Sequence, residues 1–125
     1  MGFTIFRRDE IEFTPPSAGD QTRGILRLSD AMTRMRANLW RMPPHTRGRR
    51  HAERVQEELF VALEGTVTLA LGDPPEKTDL PPGSIAIVET GTAIQVRNDS
   101  DEDAVVLIVG APPETGEADY LPDVD

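Results

Sequence analysis

Proline and glycine divide the chain into short segments, and this spacing restricts its fold more than any other feature. The turn residues recur as Pro15-Pro16, Pro43-Pro44, Pro81-Pro82-Gly83 and Pro112-Pro113. The segments between them are rich in Val, Ile, Leu, Thr and Phe. They either alternate apolar with polar residues or stay apolar for the length of a strand. This pattern predicts an all-β sandwich or barrel, with strands at 37–42, 58–63, 66–71, 84–88, 93–97 and 104–109.

One segment, 29–36, fits either a helix or an extension of the first predicted strand. The total of 125 residues suits a single domain with a modest core. The absence of cysteine excludes disulfides, thiolate metal ligands and cysteine nucleophiles. The N-terminal residues lack the apolar stretch of a signal peptide, and no segment reaches transmembrane length. We therefore expect a cytoplasmic protein with no membrane partner.

Charge is distributed unevenly along the chain. The net charge of −9 argues against nucleic acid as a partner. Residues 34–54 contain seven arginines and one acid, whereas residues 99–125 contain nine acids and no basic residue. Two interpretations stay open: two separately solvated faces, or an acidic tail that lies over the basic segment within one chain or across a dimer.

The segment 51–65 carries the strongest chemical signal. His51 and Glu53 point to the same side if this stretch is extended, because alternate residues of a strand share a face. Glu58 opens the next predicted strand and can turn inward beside them. An imidazole and two carboxylates that converge in this way can bind a divalent metal. The alternative is a set of solvated polar groups at a strand end.

This segment resembles the first motif of the cupin family, in which a His-x-His pair is followed by a glutamate and then a glycine. His51, Glu58 and Gly65 match the first histidine, the glutamate and the glycine. Gly83, Gly91 and Asn98 match the second motif. The resemblance implies a double-stranded β-helix, or jelly-roll barrel, in one domain over 1–125, with a core barrel at about 34–111 and peripheral ends at 1–30 and 112–125.

The departures from the family pattern fall on metal ligands. Four residues bind the metal in cupins, but here Glu53 replaces the second histidine and Ile94 replaces the last one. His45 replaces a glycine, and we interpret it as a turn residue, because histidine tolerates unusual backbone angles. The three remaining ligands are rich in oxygen, which favours manganese, magnesium or calcium. Across the family, Mn, Fe, Zn and Ni are the candidate cofactors.

Two hypotheses for this site compete. A divalent metal bound by His51, Glu53 and Glu58 would offset the repulsion between the carboxylates. Alternatively no metal binds, and Arg47 and Arg49, which share the parity of His51, pair with the acids. Isoleucine at the fourth position favours the second hypothesis, because an apolar side chain fills that place by packing.

The resemblance also implies a ligand pocket inside the barrel. The candidate pocket residues are Trp40, Met42, Arg49, Gln56, Phe60 and Ile94, and Gln95 is a further polar candidate near the rim. We interpret the chain as a small cupin that binds a small molecule, with a degenerate metal site and a non-enzymatic or regulatory role. The alternative is a metal-dependent isomerase, lyase or dioxygenase. Unpaired strands at the ends of a small β-domain favour a homodimer.

Overall fold

Turns divide the chain into strands that make up two antiparallel sheets. The computed structural model describes residues 2–113 and 117–125. The strands are β1 Gly24–Leu26, β2 Arg36–Met42, β3 Thr46–Arg47, β4 His51–Glu53, β5 Glu57–Glu64, β6 Val67–Leu71, β7 Glu76–Leu80, β8 Ile85–Val88, β9 Ala93–Asn98, β10 Ala104–Ala111 and β11 Ala118–Tyr120. Two short 3₁₀ turns occupy Arg8–Glu10 and Leu28–Ala31.

The chain passes repeatedly between the two sheets. The first sheet has the order β1-β2-β10-β5-β8, and the second has the order β11-β4-β9-β6-β7, with β3 also paired to β9. Sequence neighbours such as β5 and β6 therefore lie in different sheets, as a jelly roll requires. The prediction of an all-β jelly-roll barrel is confirmed. No helix among the described residues is long and apolar enough to cross a membrane.

Each of the six predicted strands is present, with ends that differ by one or two residues. Neither interpretation of 29–36 holds over the whole segment, because a 3₁₀ turn forms at Leu28–Ala31 and β2 extends back only to Arg36. The Ser29 hydroxyl does not cap a helix. It donates to the Ala37 carbonyl at 3.0 Å and accepts from the Ala37 N–H at 2.9 Å, and this ties the turn to β2.

The apolar core lies between the sheets. On β5, Phe60 and Ala62 alternate with outward residues and are almost fully buried, as period-two alternation predicts. The core cluster consists of Met42, Phe60, Ala62, Val67, Leu69, Val88, Ile94, Val96, Ala104 and Val106. All of these fall within the barrel predicted at about 34–111. β1 and β11 come from the terminal segments and extend the two sheets at their edges.

Two turn positions need backbone angles that most residues avoid. His45 has φ 58°, which confirms its interpretation as a turn residue. Gly65, between β5 and β6, has φ 66°, and a Cβ there would lie 2.3 Å from the Asp103 carbonyl oxygen. Gly65 therefore allows both the turn and the close approach of the chain that leads into β10.

The outer face of the first sheet carries exposed apolar side chains. Ile85 and Ile87 on the edge strand β8 are 61% and 70% exposed, and Leu63 on β5 is 47% exposed. Exposed apolar groups on a strand with one free edge favour association. The homodimer stays a prediction, and this is the face on which we expect it.

Substitution of Gly65 by alanine should destabilise the fold. The left-handed backbone conformation costs about 1–3 kcal/mol for a residue with a side chain, and the contact with Asp103 adds to that cost. Gly83→Ala is the matched control, because Gly83 has φ 87° but a Cβ there meets no atom within 4 Å. Urea unfolding should show a larger loss for Gly65→Ala than for Gly83→Ala. Equal losses would contradict the role given to the Asp103 contact.

A charged side chain introduced on the outer face of the first sheet should prevent formation of the dimer. We expect the parent to sediment as a dimer and Ile87→Lys to sediment as a monomer, because a lysine cannot be buried there without a partner charge. Thr78→Lys, on the exposed edge strand β7 of the other sheet, should leave the dimer intact. A monomeric parent, or a dimer that both variants retain, would contradict the prediction.

Candidate functional site

A cavity of about 360 Å³ opens between the two sheets, and alternating residues of β2 form one of its walls. Arg36, Asn38, Trp40 and Met42 share a parity and all line it. Ile25 on β1 and Ile108 on β10 add apolar surface. The cavity therefore combines an apolar floor with charged groups, as small-molecule sites commonly do.

His51, Glu53 and Glu58 converge on this cavity. The His51 Nε2 atom lies 3.1 Å from a Glu53 carboxylate oxygen and 3.5 Å from a Glu58 carboxylate oxygen. β4 supplies the first two residues and β5 supplies Glu58, so the turn between these strands brings them together. The side chains of the two glutamates are only 11% and 10% exposed.

The orientation of the His51 ring is fixed from the other side. Its Nδ1 atom lies 3.0 Å from the Arg49 carbonyl oxygen, which can only accept a hydrogen bond. Nδ1 therefore carries a hydrogen, and Nε2 faces the carboxylates. A backbone contact of this kind is the usual support of a histidine that binds a metal through its other nitrogen.

Burial and mutual repulsion act on the charges of this cluster. Burial raises the pKa of Glu53, as does the charge of Glu58, while His51 and Arg36 act in the opposite direction. Burial alone would lower the pKa of His51, but its hydrogen bonds to Glu58 and Arg49 and the charges of both glutamates raise it overall. Two acids share one imidazole, so the cluster favours an additional cation.

The three residues can offer one imidazole nitrogen and two carboxylate oxygens, all within 4.8 Å of one another. This donor set suits a divalent cation that accepts mixed nitrogen and oxygen ligands. Ile94 faces His51 across the β4–β9 pair but is fully buried in the core. The fourth ligand position of the family is therefore occupied by apolar packing.

The predicted pairing of Arg47 and Arg49 with these acids is wrong. Arg47 instead bonds the Val124 carbonyl at 3.1 Å and Asp123 at 3.3 Å. The Arg49 guanidinium lies 3.7 Å from the centre of the Tyr120 ring. Neither pairs with a glutamate of the cluster among the residues that the structure describes. The arginine whose charge acts to lower the pKa of Glu53 is Arg36.

The predicted pocket residues divide into two groups. Trp40, Met42 and Arg49 line the cavity. Phe60 and Ile94 are buried in the core beneath it, because their strands turn these side chains into the sheet-to-sheet packing.

The predicted rim position of Gln56 and Gln95 is wrong, since their side chains are 1% and 0% exposed. The Gln56 amide donates to the Pro112 carbonyl at 2.9 Å.

Sequence reasoning missed Arg23 and Tyr120, which both line the cavity. They come from the terminal segments; the charge contrast between residues 34–54 and the tail pointed to the segment that carries Tyr120, and no local pattern marked Arg23.

The family model of the cupin domain matches residues 38–110, which extend from β2 into β10 and include His51, Glu53 and Glu58. The chain belongs to the cupin family. No curated protein sequence matches this cupin closely enough to suggest a function.

Solved structures similar to this cupin have several activities. A sugar phosphate isomerase from Silicibacter pomeroyi is 27% identical, with a TM-score of 0.73 over 86% of this chain and 74% of that one. The polyketide cyclase RemF from Streptomyces resistomycificus is 17% identical, with a TM-score of 0.79 over 99% and 89%. A predicted oxalate decarboxylase from Thermotoga maritima is 17% identical, with a TM-score of 0.71 over 86% and 97%. The last two likenesses show the fold alone.

The acidic tail of this cupin lies over the basic segment of the same chain. β11 pairs with β4, which carries His51 and Glu53. Asp119 pairs with Arg54, and Asp123 pairs with Arg47. The interpretation of an overlying tail is confirmed for these residues; Glu114, also counted among the acids, lies outside the described residues.

Gln95 anchors the end of the tail from inside the barrel. Its amide nitrogen donates to the Gly48 carbonyl at 2.8 Å and to Asp123 at 3.0 Å. Its amide oxygen accepts from the Val124 N–H at 2.9 Å. The Arg97 guanidinium donates to the Val124 carbonyl at 2.5 Å. These contacts hold in place the segment that brings Tyr120 to the cavity.

Gln95→Leu should release the tail and destabilise the cupin. The change removes three hydrogen bonds and leaves the Gly48 carbonyl and the Val124 N–H without that partner, which should lower the free energy of unfolding by about 2–4 kcal/mol. Urea unfolding measures the loss, and limited proteolysis should show earlier cleavage in residues 117–125. Gln21→Leu is the control, since Gln21 is exposed and makes one long contact of 3.5 Å. An unchanged proteolysis rate in Gln95→Leu would contradict the anchoring role.

Proposed function

We propose that this cupin is a metal-dependent enzyme that binds a divalent cation through His51, Glu53 and Glu58 and acts on a small oxygen-containing molecule in the adjoining cavity. The convergence of the three ligand atoms within 4.8 Å is the observation that carries the proposal. A cation held there would polarise an oxygen atom of the bound molecule.

The kind of reaction that we propose is an isomerisation. The S. pomeroyi structure, named a sugar phosphate isomerase, is 27% identical and covers most of this chain. Isomerases of this kind act on hydroxyl and carbonyl groups, which suit an oxygen-rich cation site. A shared fold does not fix a reaction, so the residues of the site must carry the test.

Two observations favour a second candidate, a metal-free binding protein. His51 already contacts both glutamates at 3.1 and 3.5 Å, so a protonated imidazole can partly offset their charge. The buried Ile94 leaves no fourth ligand at the family position. In this candidate the cavity binds a small molecule without a cation, as the departures from the family motif suggest.

Metal content separates the two candidates. Untagged protein dialysed against Mn²⁺ should retain close to one cation per chain by elemental analysis. His51→Ala and Glu58→Gln should lose it, because each removes one of three ligands. Added Mn²⁺ at about 100 times Kd should stabilise the parent by about 2.7 kcal/mol and should not stabilise the two variants.

Glu57→Gln is the matched control for the metal test. Glu57 adjoins Glu58 on β5 but is exposed, so its substitution should leave cation binding unchanged. A parent that neither retains nor is stabilised by Mn²⁺, Mg²⁺, Fe²⁺, Zn²⁺ or Ni²⁺ would overturn the metal-dependent proposal and support the metal-free candidate.

A further inference from the structure

The Arg23 guanidinium is buried at the cavity without a carboxylate partner among the described residues. The residue is 6% exposed, and burial lowers the pKa of Arg23 more than the charge of Asp20 raises it. Two backbone carbonyls accept its hydrogen bonds, those of Asp20 at 2.9 Å and Ala18 at 3.1 Å. Its guanidinium also lies 4.6 Å from the centre of the Trp40 ring. Buried charges in proteins are generally paired, but among the described residues no carboxylate lies within ion-pair distance of this one.

Arg49 lies on the neighbouring part of the wall but, unlike Arg23, it is exposed. Its guanidinium stacks on Tyr120, and it has no hydrogen-bond acceptor among the residues that the structure describes. A Cβ placed on Gly19 would lie 2.6 Å from Arg23 Nη2 and 3.8 Å from Arg49 Cγ, so the two side chains flank the same glycine. Both arginines line the cavity that holds the His51 cluster.

The acidic side chains near Arg23 and Arg49 have their closest contacts with other groups. Asp20 is exposed and accepts hydrogen bonds from Thr22 at 2.6 and 2.9 Å. Among the acids that line the cavity, Glu53 and Glu58 contact His51, and Glu117 acts on Arg54. Two cationic side chains that line one cavity repel each other, and an anion bound between them would offset that repulsion.

We propose that Arg23 and Arg49 form an oxyanion subsite that binds a phosphate or carboxylate group of the ligand. A planar guanidinium that is backed by an aromatic ring presents its N–H groups in a fixed plane, which suits the paired oxygens of such groups. The inference rests on the proposed function for the identity of the cavity as the ligand site. It adds that the ligand is anionic.

Four probes test the subsite by calorimetry at low ionic strength: inorganic phosphate, malonate, glucose 6-phosphate and glucose. We expect at least one anion to bind about tenfold more tightly than glucose, and the comparison of phosphate with malonate identifies the preferred group. Trp40 is the only tryptophan in the chain. Its fluorescence should change when an anion reaches Arg23, and a purely structural arginine would not produce that change.

Arg49→Gln should weaken the binding of that anion about tenfold without affecting the fold, and Arg49→Lys should restore only part of it, because lysine lacks the planar fork. Arg23→Gln should remove the change in Trp40 fluorescence. Arg8→Gln is the control, since Arg8 is exposed and pairs with Glu64 at 2.8 Å outside the cavity. If all three anions bind no better than glucose, or if Arg8→Gln weakens binding as much as Arg49→Gln, the subsite is overturned.

His51→Ala distinguishes failure of this inference from failure of the proposed function. This variant should lose the cation and keep binding inorganic phosphate or malonate. Anion binding without cation binding in the parent would overturn the metal-dependent proposal and support the subsite. Cation binding without anion binding in the parent would support the metal-dependent proposal and overturn the subsite.

Discussion

Burial of charged side chains inside a small two-sheet barrel requires a partner for each of them, and much of this structure meets that requirement. A buried charge without a partner is costly, because the interior cannot replace its hydration. Arg97 and Arg50 are 8% and 7% exposed, and both donate to backbone carbonyls of the C-terminal segment. The segment is therefore part of the fold and not an addition to it.

The same requirement distinguishes the two charged groups at the cavity. His51 is supported on one side by the Arg49 carbonyl and on the other by two carboxylates, so the cluster has an excess of negative charge. Arg23 has carbonyls and an indole ring but no acid within contact among the described residues. One end of the cavity thus suits a cation and the other an anion. A molecule that bridges the two would meet both requirements at once.

The strands and the cluster of His51, Glu53 and Glu58 could be predicted from the sequence because both depend on local spacing. Alternation placed Phe60 and Ala62 inward, and the motif spacing brought His51, Glu53 and Glu58 together. β7 was missed because its sequence, EKTDL, is polar on both faces and lacks the alternation of a half-buried strand. The subsite arginine Arg23 was missed for a different reason. It reaches the cavity only through the pairing of β1 with β2, a long-range contact that no local pattern reports.

The contrast between the two edge strands β7 and β8 has a further consequence. β7 exposes Glu76, Lys77 and Asp79, whereas β8 exposes Ile85 and Ile87. Charges on an edge strand discourage pairing with a second sheet, because a bound neighbour would desolvate them. β7 ends the second sheet and β8 ends the first, so the charges on β7 discourage edge-to-edge pairing of the second sheet and leave β8 as the receptive edge. Edge-to-edge association of this molecule is therefore expected through the first sheet and not through β7.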